Sequence, residues 1–257
     1  MISILIPTYN SLDSLDLLLT SIFEGVSNED NIQVVVGVDG THDINKPILS
    51  KYKNRIETLI MEENVGLCRL TNLLVYNATN ELILILNDDN VVGKYFDLSL
   101  LKHLPDNSVI SPNQIEPFPS MFKQFEIWDA GRDPKTFNLE NFCDGEHNIS
   151  ENRIDETGST LPIFMNKTDF LRVGGWDETY PQGLVADWDF FLKCQLSGMK
   201  MLRTYNCHIY HFVSLSTNKT EEQKEKRRKD EIFGHEFAKY KWGYWIQHDE
   251  NTNLKYL

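Results

Sequence analysis

Apolar runs and helix-like patterns alternate along the first third of the chain. The runs 2–6, 33–38 and 82–86 are rich in branched aliphatic residues and end at polar or turn-forming residues, which predicts buried strands. Apolar residues recur at helical spacing between these runs, around 15–22, 48–52 and 67–74. This alternation predicts an α/β fold in which a doubly wound, mainly parallel sheet carries helices on both faces.

The pattern becomes irregular from residue 113 to residue 160, where prolines and glycines interrupt it. A segment of this length in a compact domain is typical of a functional loop region with some local structure. Regular patterns return with a strand over 161–165 and a helix that ends at Gly174-Gly175. Further helices are predicted over 188–199 and 219–240, the latter with an apolar face formed by Ile232, Phe233, Phe237 and Tyr240.

Polar residues follow each of the three apolar runs in the first third. Pro7-Thr8-Tyr9 follows the first, Asp39-Gly40 the second and Asn87-Asp88-Asp89 the third. Ligands bind beyond the carboxyl ends of the strands in doubly wound sheets, so we expect these side chains to converge. Two adjacent carboxylates repel each other unless something compensates them, and a divalent cation is one candidate. A turn or helix N-cap is the alternative, because Asp and Asn favour both.

Composition and charge narrow the function classes. The 257-residue chain has a formal net charge of −13, which argues against a general nucleic-acid binder. Its four cysteines show no C-x-x-C spacing, which is typical of reduced thiols rather than of a disulfide framework or a zinc site. No apolar run approaches the roughly 20 residues of a membrane span, and the N-terminus lacks the pattern of a signal peptide. We therefore expect a cytoplasmic protein with no transmembrane segment and no nucleic-acid partner.

Several short motifs follow one another along the chain. The earlier ones are Pro7-Thr8-Tyr9, Asp39-Gly40, Asn64-Val65-Gly66 with Asn72, and Asn87-Asp88-Asp89. The later ones are Gly174-Gly175-Trp176-Asp177-Glu178 and Ala186-Asp187-Trp188-Asp189. In order and spacing, the set resembles the family-2 glycosyltransferases of GT-A fold, a Rossmann-like α/β architecture, and the resemblance covers residues 1–215.

The resemblance implies an inverting hexosyltransferase that uses a nucleotide-diphosphate sugar as donor. It does not identify the acceptor, whose hydroxyl can belong to a glycan, a lipid-linked molecule or a protein. It implies that Asp187 is the general base and that Asp89 and His211 bind Mn2+ or Mg2+. It assigns donor binding to residues from both halves of the chain: Pro7, Thr8, Tyr9, Asp39, Gly66, Asn72, Asp88, Trp176 and Asp177. We accordingly divide the chain into a nucleotide-binding half (1–112), an acceptor or catalytic half (113–215) and a C-terminal helical extension (216–257).

Each assigned residue also has a structural interpretation. Asp187 begins a predicted helix, where an N-cap aspartate is common. His211 fits a strand histidine with ordinary partners, and Trp176 fits a buried aromatic residue. Asp189 could interact with the dipole of the helix, or it could contact the sugar acceptor. His208 lies three residues before His211 and would point to the opposite face of a strand, so we expect a structural role for it.

Three positions depart from the family pattern, since Val38, Asn87 and Ala186 stand where acidic residues are common. Asn87 offers a neutral amide oxygen in place of a carboxylate, which motivates a catalytically inactive carbohydrate-binding module as an alternative. The retained aspartates at the other motif positions speak against it. A sugar nucleotidyltransferase is a second alternative, but the residues after the first strand lack the Gly-rich, basic phosphate loop that such an enzyme needs.

Overall fold

The computed structural model describes residues 1–213 and 221–256, and its N-terminal part alternates strands and helices as the hydrophobic pattern predicts. The strands are β1 (Ile2–Thr8), β2 (Ile32–Asp39), β3 (Glu57–Met61) and β4 (Leu82–Ile85). The helices between them are α1 (Leu12–Gly25), α2 (His42–Tyr52) and α3 (Leu67–Asn77). All neighbouring strands in this part pair in parallel, so the predicted doubly wound arrangement is confirmed.

The sheet continues with antiparallel insertions. Its further strands are β5 (Asn90–Val92), β6 (Ser108–Glu116), β7 (Glu126–Ile127), β8 (Ile154–Asp155), β9 (Ile163–Asn166) and β10 (Lys200–His211). The accompanying helices are α4 (Phe96–Leu101), α5 (Leu139–Ile149), α6 (Lys167–Arg172) and α7 (Ala186–Leu196). The strand order is β3-β2-β1-β4-β9-β6-β10-β5, with β7 beside β6 and β8 beside β10. Strand β9 is antiparallel to β4 and β6, and β5 is antiparallel to β10.

The segment 113–160 is more regular than the sequence predicts. Pro112 lies inside β6, next to the point where the register between β6 and β10 shifts, and bulges are among the few places where a sheet accepts proline. Helix α5 begins after Asn138, whose side chain accepts a hydrogen bond from the Asn141 N–H at 3.0 Å, and it buries Phe142. The interpretation as a loop region was therefore wrong for β6 and α5, because isolated prolines and glycines hid both patterns.

Apolar layers cover both faces of the sheet. Alternate residues of β1 point to opposite faces, so Ile4 packs in the layer of α1 whereas Leu5 packs in the layer of α3. The apolar residues that predict α1 are all completely buried: Leu15, Leu18, Leu19 and Ile22. Burial of each such side chain contributes about 1.5–3 kcal/mol to stability. This packing holds the strand ends, which carry the predicted site, in fixed positions.

The C-terminal part consists of helix α8 (Glu221–Trp242) and a hairpin of β11 (Ile246–His248) and β12 (Leu254–Tyr256). The helix predicted over 219–240 is confirmed from residue 221 onwards. Residues 219–220 and the expected boundary between residues 215 and 216 lie outside the described residues. The hairpin shows that the extension is not wholly helical. Within the described ranges, every helix is too short or too polar to cross a bilayer.

The predicted apolar face of α8 docks only at Phe237, which packs against the core and contacts the Tyr180 ring with ring centroids 5.0 Å apart. Ile232, Phe233 and Tyr240 are 56%, 50% and 88% exposed, so most of the apolar stripe faces solvent. The buried residues of the helix are Gly234 and Ala238. A Cβ added to Gly234 would lie 2.9 Å from a backbone oxygen of the segment before α7, so the helix approaches that segment more closely than larger residues allow.

Candidate active site

The carboxyl ends of the parallel strands open onto a cavity of about 530 Å³. The predicted donor and metal residues that line it are Pro7, Thr8, Tyr9, Asp39, Gly66, Asp88, Asp89 and His211. Four other predicted site residues are not among the described residues that line it: Asn72, Trp176, Asp177 and Asp187. The strand-end residues therefore converge as expected, whereas Asn72 and the residues from the later motifs are not part of the described cavity wall.

Asp88 is held against the end of β1. Its Oδ2 accepts a hydrogen bond from Thr8 Oγ1 at 2.7 Å and a longer one from the Tyr9 N–H at 3.4 Å. Burial away from water, and after it the charge of Asp89, raise the pKa of Asp88 to about 7, although the bond from Thr8 lowers it. The adjacent acids thus create a negative potential that a bound cation would relieve.

Strands β5 and β10 bring His211 to Asp89. They pair with His211 opposite Asn90, and the Phe212 N–H donates to the Asp89 carbonyl oxygen at 3.2 Å. His211 Nε2 lies 3.7 Å from Asp89 Oδ2, and His211 Nδ1 lies 3.3 Å from Glu116 Oε1. Burial alone lowers the pKa of His211, but the charge of Asp89 and the hydrogen bond with Glu116 outweigh it, so the pKa is raised.

The donor set fits a divalent cation that also binds phosphate. Among residues 1–213 and 221–256, no group of three or more His, Cys, Asp or Glu side chains could hold a metal ion by itself. Asp89 and His211 instead offer a carboxylate and an imidazole on the cavity wall, and Glu116 contacts the other ring nitrogen, as carboxylates do behind metal-bound histidines. In nucleotide enzymes, one or two protein ligands plus the substrate phosphates commonly suffice.

Asp39 shapes the loop that begins α3. Its Oδ1 accepts a hydrogen bond from the Val65 N–H at 2.6 Å and its Oδ2 accepts one from the Gly66 N–H at 3.1 Å. Gly40 has a φ of 70°, and a Cβ there would lie 2.6 Å from the Asn64 nitrogen. Gly66 has a φ of 87° and leaves open space where a Cβ would stand. The start of α3 can therefore line the cavity with exposed backbone.

Asn72 joins α3 to the segment around Trp176. Its Oδ1 accepts a hydrogen bond from the Trp176 N–H, and its Nδ2 donates to the Trp176 carbonyl oxygen, both at 2.9 Å. The same Nδ2 donates to Glu178 Oε1 at 3.0 Å. Trp176 is only 2% exposed and stacks on Phe190, with ring centroids 6.1 Å apart. The sequence predicts donor contacts for Asn72 and Trp176. In the structure Asn72 makes hydrogen bonds to the segment around Trp176, and Trp176 packs in the hydrophobic core.

Asp187 lies in the first turn of α7, a short distance along the chain from the cavity. Leu184 lines the cavity, and Val185 then adopts a left-handed conformation with a φ of 67°, which is strained for a β-branched residue. Val185, rather than Asp187, occupies the N-cap position. Burial raises the pKa of Asp187 to about 6, more than its backbone hydrogen bonds lower it. A carboxylate with this pKa is ionised at neutral pH and still basic enough to accept a proton.

Asp189 is completely buried and connects α7 to α8. Its Oδ1 accepts hydrogen bonds from Trp242 Nε1 at 2.7 Å and from the Tyr180 hydroxyl at 3.2 Å. Its Oδ2 accepts one from Lys241 Nζ at 3.0 Å, and Lys241 also donates to Asp177 Oδ2 at 2.7 Å. Asp177 and Asp189 therefore hold the C-terminal helix in place. Neither the donor contact predicted for Asp177 nor the helix-dipole role predicted for Asp189 anticipates this network.

His208 has the structural role that the sequence predicts. It is 1% exposed, its backbone N–H donates to Glu146 Oε1 at 2.9 Å, and its Nδ1 lies 3.4 Å from Ser150 Oγ. These partners belong to α5 and the residue after it. The side chain of His208 therefore lies on the face of β10 that packs against α5. His211 meets Asp89 on the opposite face of the strand.

Some residues of the site were missed by the sequence patterns. Glu116 ends β6, the strand that Pro112 concealed. Lys226 and Arg227 also line the cavity, although they belong to a charged run typical of a solvated helix face. Their spacing from Gln223, at i, i+3 and i+4, is the signal that places them on one face of the helix.

Comparisons with solved structures identify the fold. A crystal structure of S. aureus TarS 1-349 has a TM-score of 0.61 at 16% identity, covering 93% of this chain and 73% of that one. The same fragment in complex with UDP-GlcNAc has a TM-score of 0.57 at 18% identity, covering 94% and 73%. GalNAc-T7 with UDP, GalNAc and Mn2+ has a TM-score of 0.61 at 11% identity, covering 82% and 43%. The fold is therefore that of the GT-A glycosyltransferases, although the chain spans only 43% of a longer TarS chain.

Sequence comparison gives the family. No curated protein sequence matches the chain significantly. The family model described as glycosyl transferase family 2 matches residues 3–149, a range that contains β1 to β4 and the Asp88-Asp89 turn and exceeds half of the 257 residues. With the strand-end residues of that range gathered around one cavity in a GT-A fold, the chain belongs to glycosyl transferase family 2.

Proposed function

We propose that the protein transfers a sugar from a nucleotide-diphosphate sugar to an acceptor hydroxyl, with a divalent cation and with inversion at the anomeric carbon. The observation that carries this proposal is the pair formed by Asp89 and His211 on the wall of the strand-end cavity. Structures of TarS with UDP-GlcNAc and of GalNAc-T7 with UDP, GalNAc and Mn2+ support a donor and a cation of these kinds.

The start of α3 and the end of β1 would bind the nucleotide. Gly66 and Leu67 line the cavity at the N-terminus of α3, and the helix dipole at such an end favours a negatively charged group. Asp39 keeps this loop in shape through its bonds to Val65 and Gly66. Tyr9 is 48% exposed on the cavity wall and offers an aromatic face to the nucleoside.

Asp89 and His211 would hold Mn2+ or Mg2+. The cation, when bound, stabilises the negative charge that grows on the departing diphosphate. Glu116 contacts Nδ1 of His211 and so leaves Nε2 turned toward Asp89. Asn87 lines the same cavity as a neutral amide, so the negative charge at the end of β4 comes from Asp88 and Asp89.

Asp187 acts as the general base in this proposal. The acceptor hydroxyl attacks the anomeric carbon while the bond from that carbon to the diphosphate oxygen breaks, and the hydroxyl proton passes to the Asp187 carboxylate. A single displacement with the base opposite the leaving group inverts the anomeric configuration. The pKa of Asp187, raised to about 6, supports this role, as does the place of this residue in the first turn of α7, three residues after Leu184 on the cavity wall.

Calorimetric titration with UDP tests the proposal. We expect the unchanged protein to bind UDP with Mn2+ present and to lose most of its affinity in excess EDTA. Asp89→Asn should lose the Mn2+-dependent part of the affinity, because it removes the charged ligand while keeping the side-chain size. Asp106→Asn, at an exposed surface acid, should bind UDP like the unchanged protein. Equal affinity for UDP in Mn2+ and in EDTA would contradict the cation site.

A panel of nucleotide sugars, followed by proton NMR of the released sugar, tests turnover and stereochemistry. We expect slow transfer of the sugar to water in the presence of Mn2+. The sugar released first should have the anomeric configuration opposite to that of the donor. UDP binding without turnover of any donor would instead indicate a catalytically inactive binding module.

A further inference from the structure

We propose that α8 supplies the cationic groups that bind the donor diphosphate, through a basic face formed by Gln223, Lys226 and Arg227. This inference rests on the proposed function and adds binding residues from a part of the chain beyond the region matched by the family model, which ends at residue 149. All three residues line the strand-end cavity, together with Asp88 and Asp89.

The charges around the cavity require such groups. Asp39, Asp88 and Asp89 line the cavity and together carry three negative charges when ionised, of which one divalent cation balances two. The diphosphate of a nucleotide sugar brings two more negative charges into the same space. Among the described residues that line the cavity, Lys226 and Arg227 are the only lysine or arginine side chains. They therefore supply the positive charge that balances the diphosphate, and hydrogen bonds from such groups to phosphate are among the stronger ones.

The spacing on the helix separates these residues from the rest of the charged run. Gln223, Lys226 and Arg227 stand at i, i+3 and i+4, so they share one face of α8. Ion pairs along the helix do not distinguish them, because Lys226 Nζ itself lies 3.7 Å from Asp230 Oδ2. The neighbouring Lys224 and Lys229 differ in that they do not line the described cavity. Lys224 lies 2.7 Å from Glu221, and Lys229 lies 3.6 Å from Glu225. Those pairs are exposed and have the character of a solvated helix surface.

The basic face continues the buried face of α8. Gly234 stands seven residues after Arg227, and Ala238 follows one turn later, so the same side of the helix faces the protein along its length. Gly234 packs against the carbonyl oxygen of Leu184, a residue that itself lines the cavity. At the far end, Lys241 donates to Asp177 and Asp189. The helix is therefore fixed at its C-terminal half while its N-terminal half faces the cavity.

Binding measurements with UDP and UMP test this assignment. In the presence of Mn2+, we expect the double variant Lys226→Ala/Arg227→Ala to bind UDP about 10-fold or more weakly than the unchanged protein, since charge-assisted hydrogen bonds are lost. The affinity for UMP should fall less, because UMP lacks the second phosphate. The double variant Lys224→Ala/Lys229→Ala removes the same charge from the same helix and should bind UDP like the unchanged protein.

Charge-conserving variants separate recognition from folding. Lys226→Arg/Arg227→Lys should keep most of the affinity for UDP, and circular dichroism should show the same thermal unfolding for all variants. Undiminished UDP affinity in Lys226→Ala/Arg227→Ala, or an equal loss in Lys224→Ala/Lys229→Ala, would overturn the assignment. Failure of the unchanged protein to bind any of UDP, GDP and dTDP would overturn the proposed function, and this inference with it.

Discussion

The carboxylate of Asp187 lies in the first turn of α7, directly after the strained backbone of Val185. Asp187→Asn removes the proton acceptor and keeps nearly the same side-chain shape. We expect the rate of sugar transfer to fall by about 10²–10⁴-fold, the usual contribution of a positioned base. Initial-rate measurements at saturating donor provide the test. The affinity for UDP should be unchanged, and transfer by Asp187→Asn at the rate of the unchanged protein would exclude Asp187 as the base.

The same carboxylate predicts the dependence of kcat on pH. Because burial raises the pKa of Asp187 to about 6, the carboxyl group is protonated below that pH and cannot accept a proton. We expect kcat to be highest at neutral pH and to fall as the pH drops through about 6, with saturating donor and Mn2+. The residual rate of Asp187→Asn should lack this decline. A kcat of the unchanged protein that stays constant between about pH 5 and pH 8 would contradict the assignment.

Residues at the site differ in how far the sequence predicts them. Thr8, Asp39 and Asp89 could be predicted, because a polar residue directly after an apolar parallel strand lies at the ligand-binding edge of the sheet. The approach of His211 to Asp89 depends on antiparallel pairing between distant strands, and no local pattern encodes that pairing. The same holds for Glu116, which reaches His211 only because β6 lies beside β10.

At the scale of elements, α8 shows that the position of a helix in the sequence is easier to predict than the face through which it contacts the rest of the protein. The residues Ile232, Phe233 and Tyr240 form an apolar stripe in the sequence, yet all three are exposed. The buried face contains Gly234 and Ala238, which have little apolar surface but allow the backbone to approach its neighbour. The orientation of α8 is decided by the close approach of its backbone at Gly234 and by the hydrogen bonds of the Asp189 network. Neither of these can be predicted from hydrophobic periodicity.

Substitutions on α8 distinguish the two faces. Gly234→Ala raises helix propensity by about 1 kcal/mol, but the new Cβ would lie 2.9 Å from the Leu184 oxygen. We expect a net loss of about 1–3 kcal/mol in the free energy of unfolding, because the helix or the segment must move. Ile232→Ala should change this free energy by at most about 0.5 kcal/mol, since Ile232 is exposed. Urea unfolding of both variants measures the difference, and a more stable Gly234→Ala would contradict the close contact.

At the scale of the whole molecule, the net charge of −13 opposes binding of an anionic donor. A field of like charge lowers the local concentration of anions and slows their association, most strongly at low salt. The proposed cation at Asp89 and His211 and the basic face of α8 offset this repulsion where the diphosphate would bind. Positive charge at the cavity is thus compatible with a surface that is acidic on balance.

A buried arginine connects the C-terminal hairpin to the sheet. Arg203 on β10 is completely buried, and its Nη2 donates to the Thr157 carbonyl oxygen at 2.9 Å, to Thr160 Oγ1 at 2.9 Å and to Thr252 Oγ1 at 3.0 Å. Burial lowers the pKa of Arg203 to about 10, so the guanidinium stays charged at neutral pH. Each neutral acceptor around the buried guanidinium contributes to the stability of the fold, because no water can replace a hydrogen bond that is lost there.

Thr252→Val tests this connection between the tail and the sheet. Valine keeps the shape of threonine but removes the hydroxyl that accepts from Arg203, so we expect the free energy of unfolding to fall by about 1–3 kcal/mol. Thr252→Ser keeps the hydroxyl and should lose much less stability. Two of the five tryptophans, Trp242 and Trp245, come directly before the hairpin, so tryptophan fluorescence includes a signal from the tail. Urea unfolding followed by fluorescence and by far-UV circular dichroism should give coincident transitions. A fluorescence transition at lower urea, or equal stability of the valine and serine variants, would show that the tail unfolds independently of Arg203.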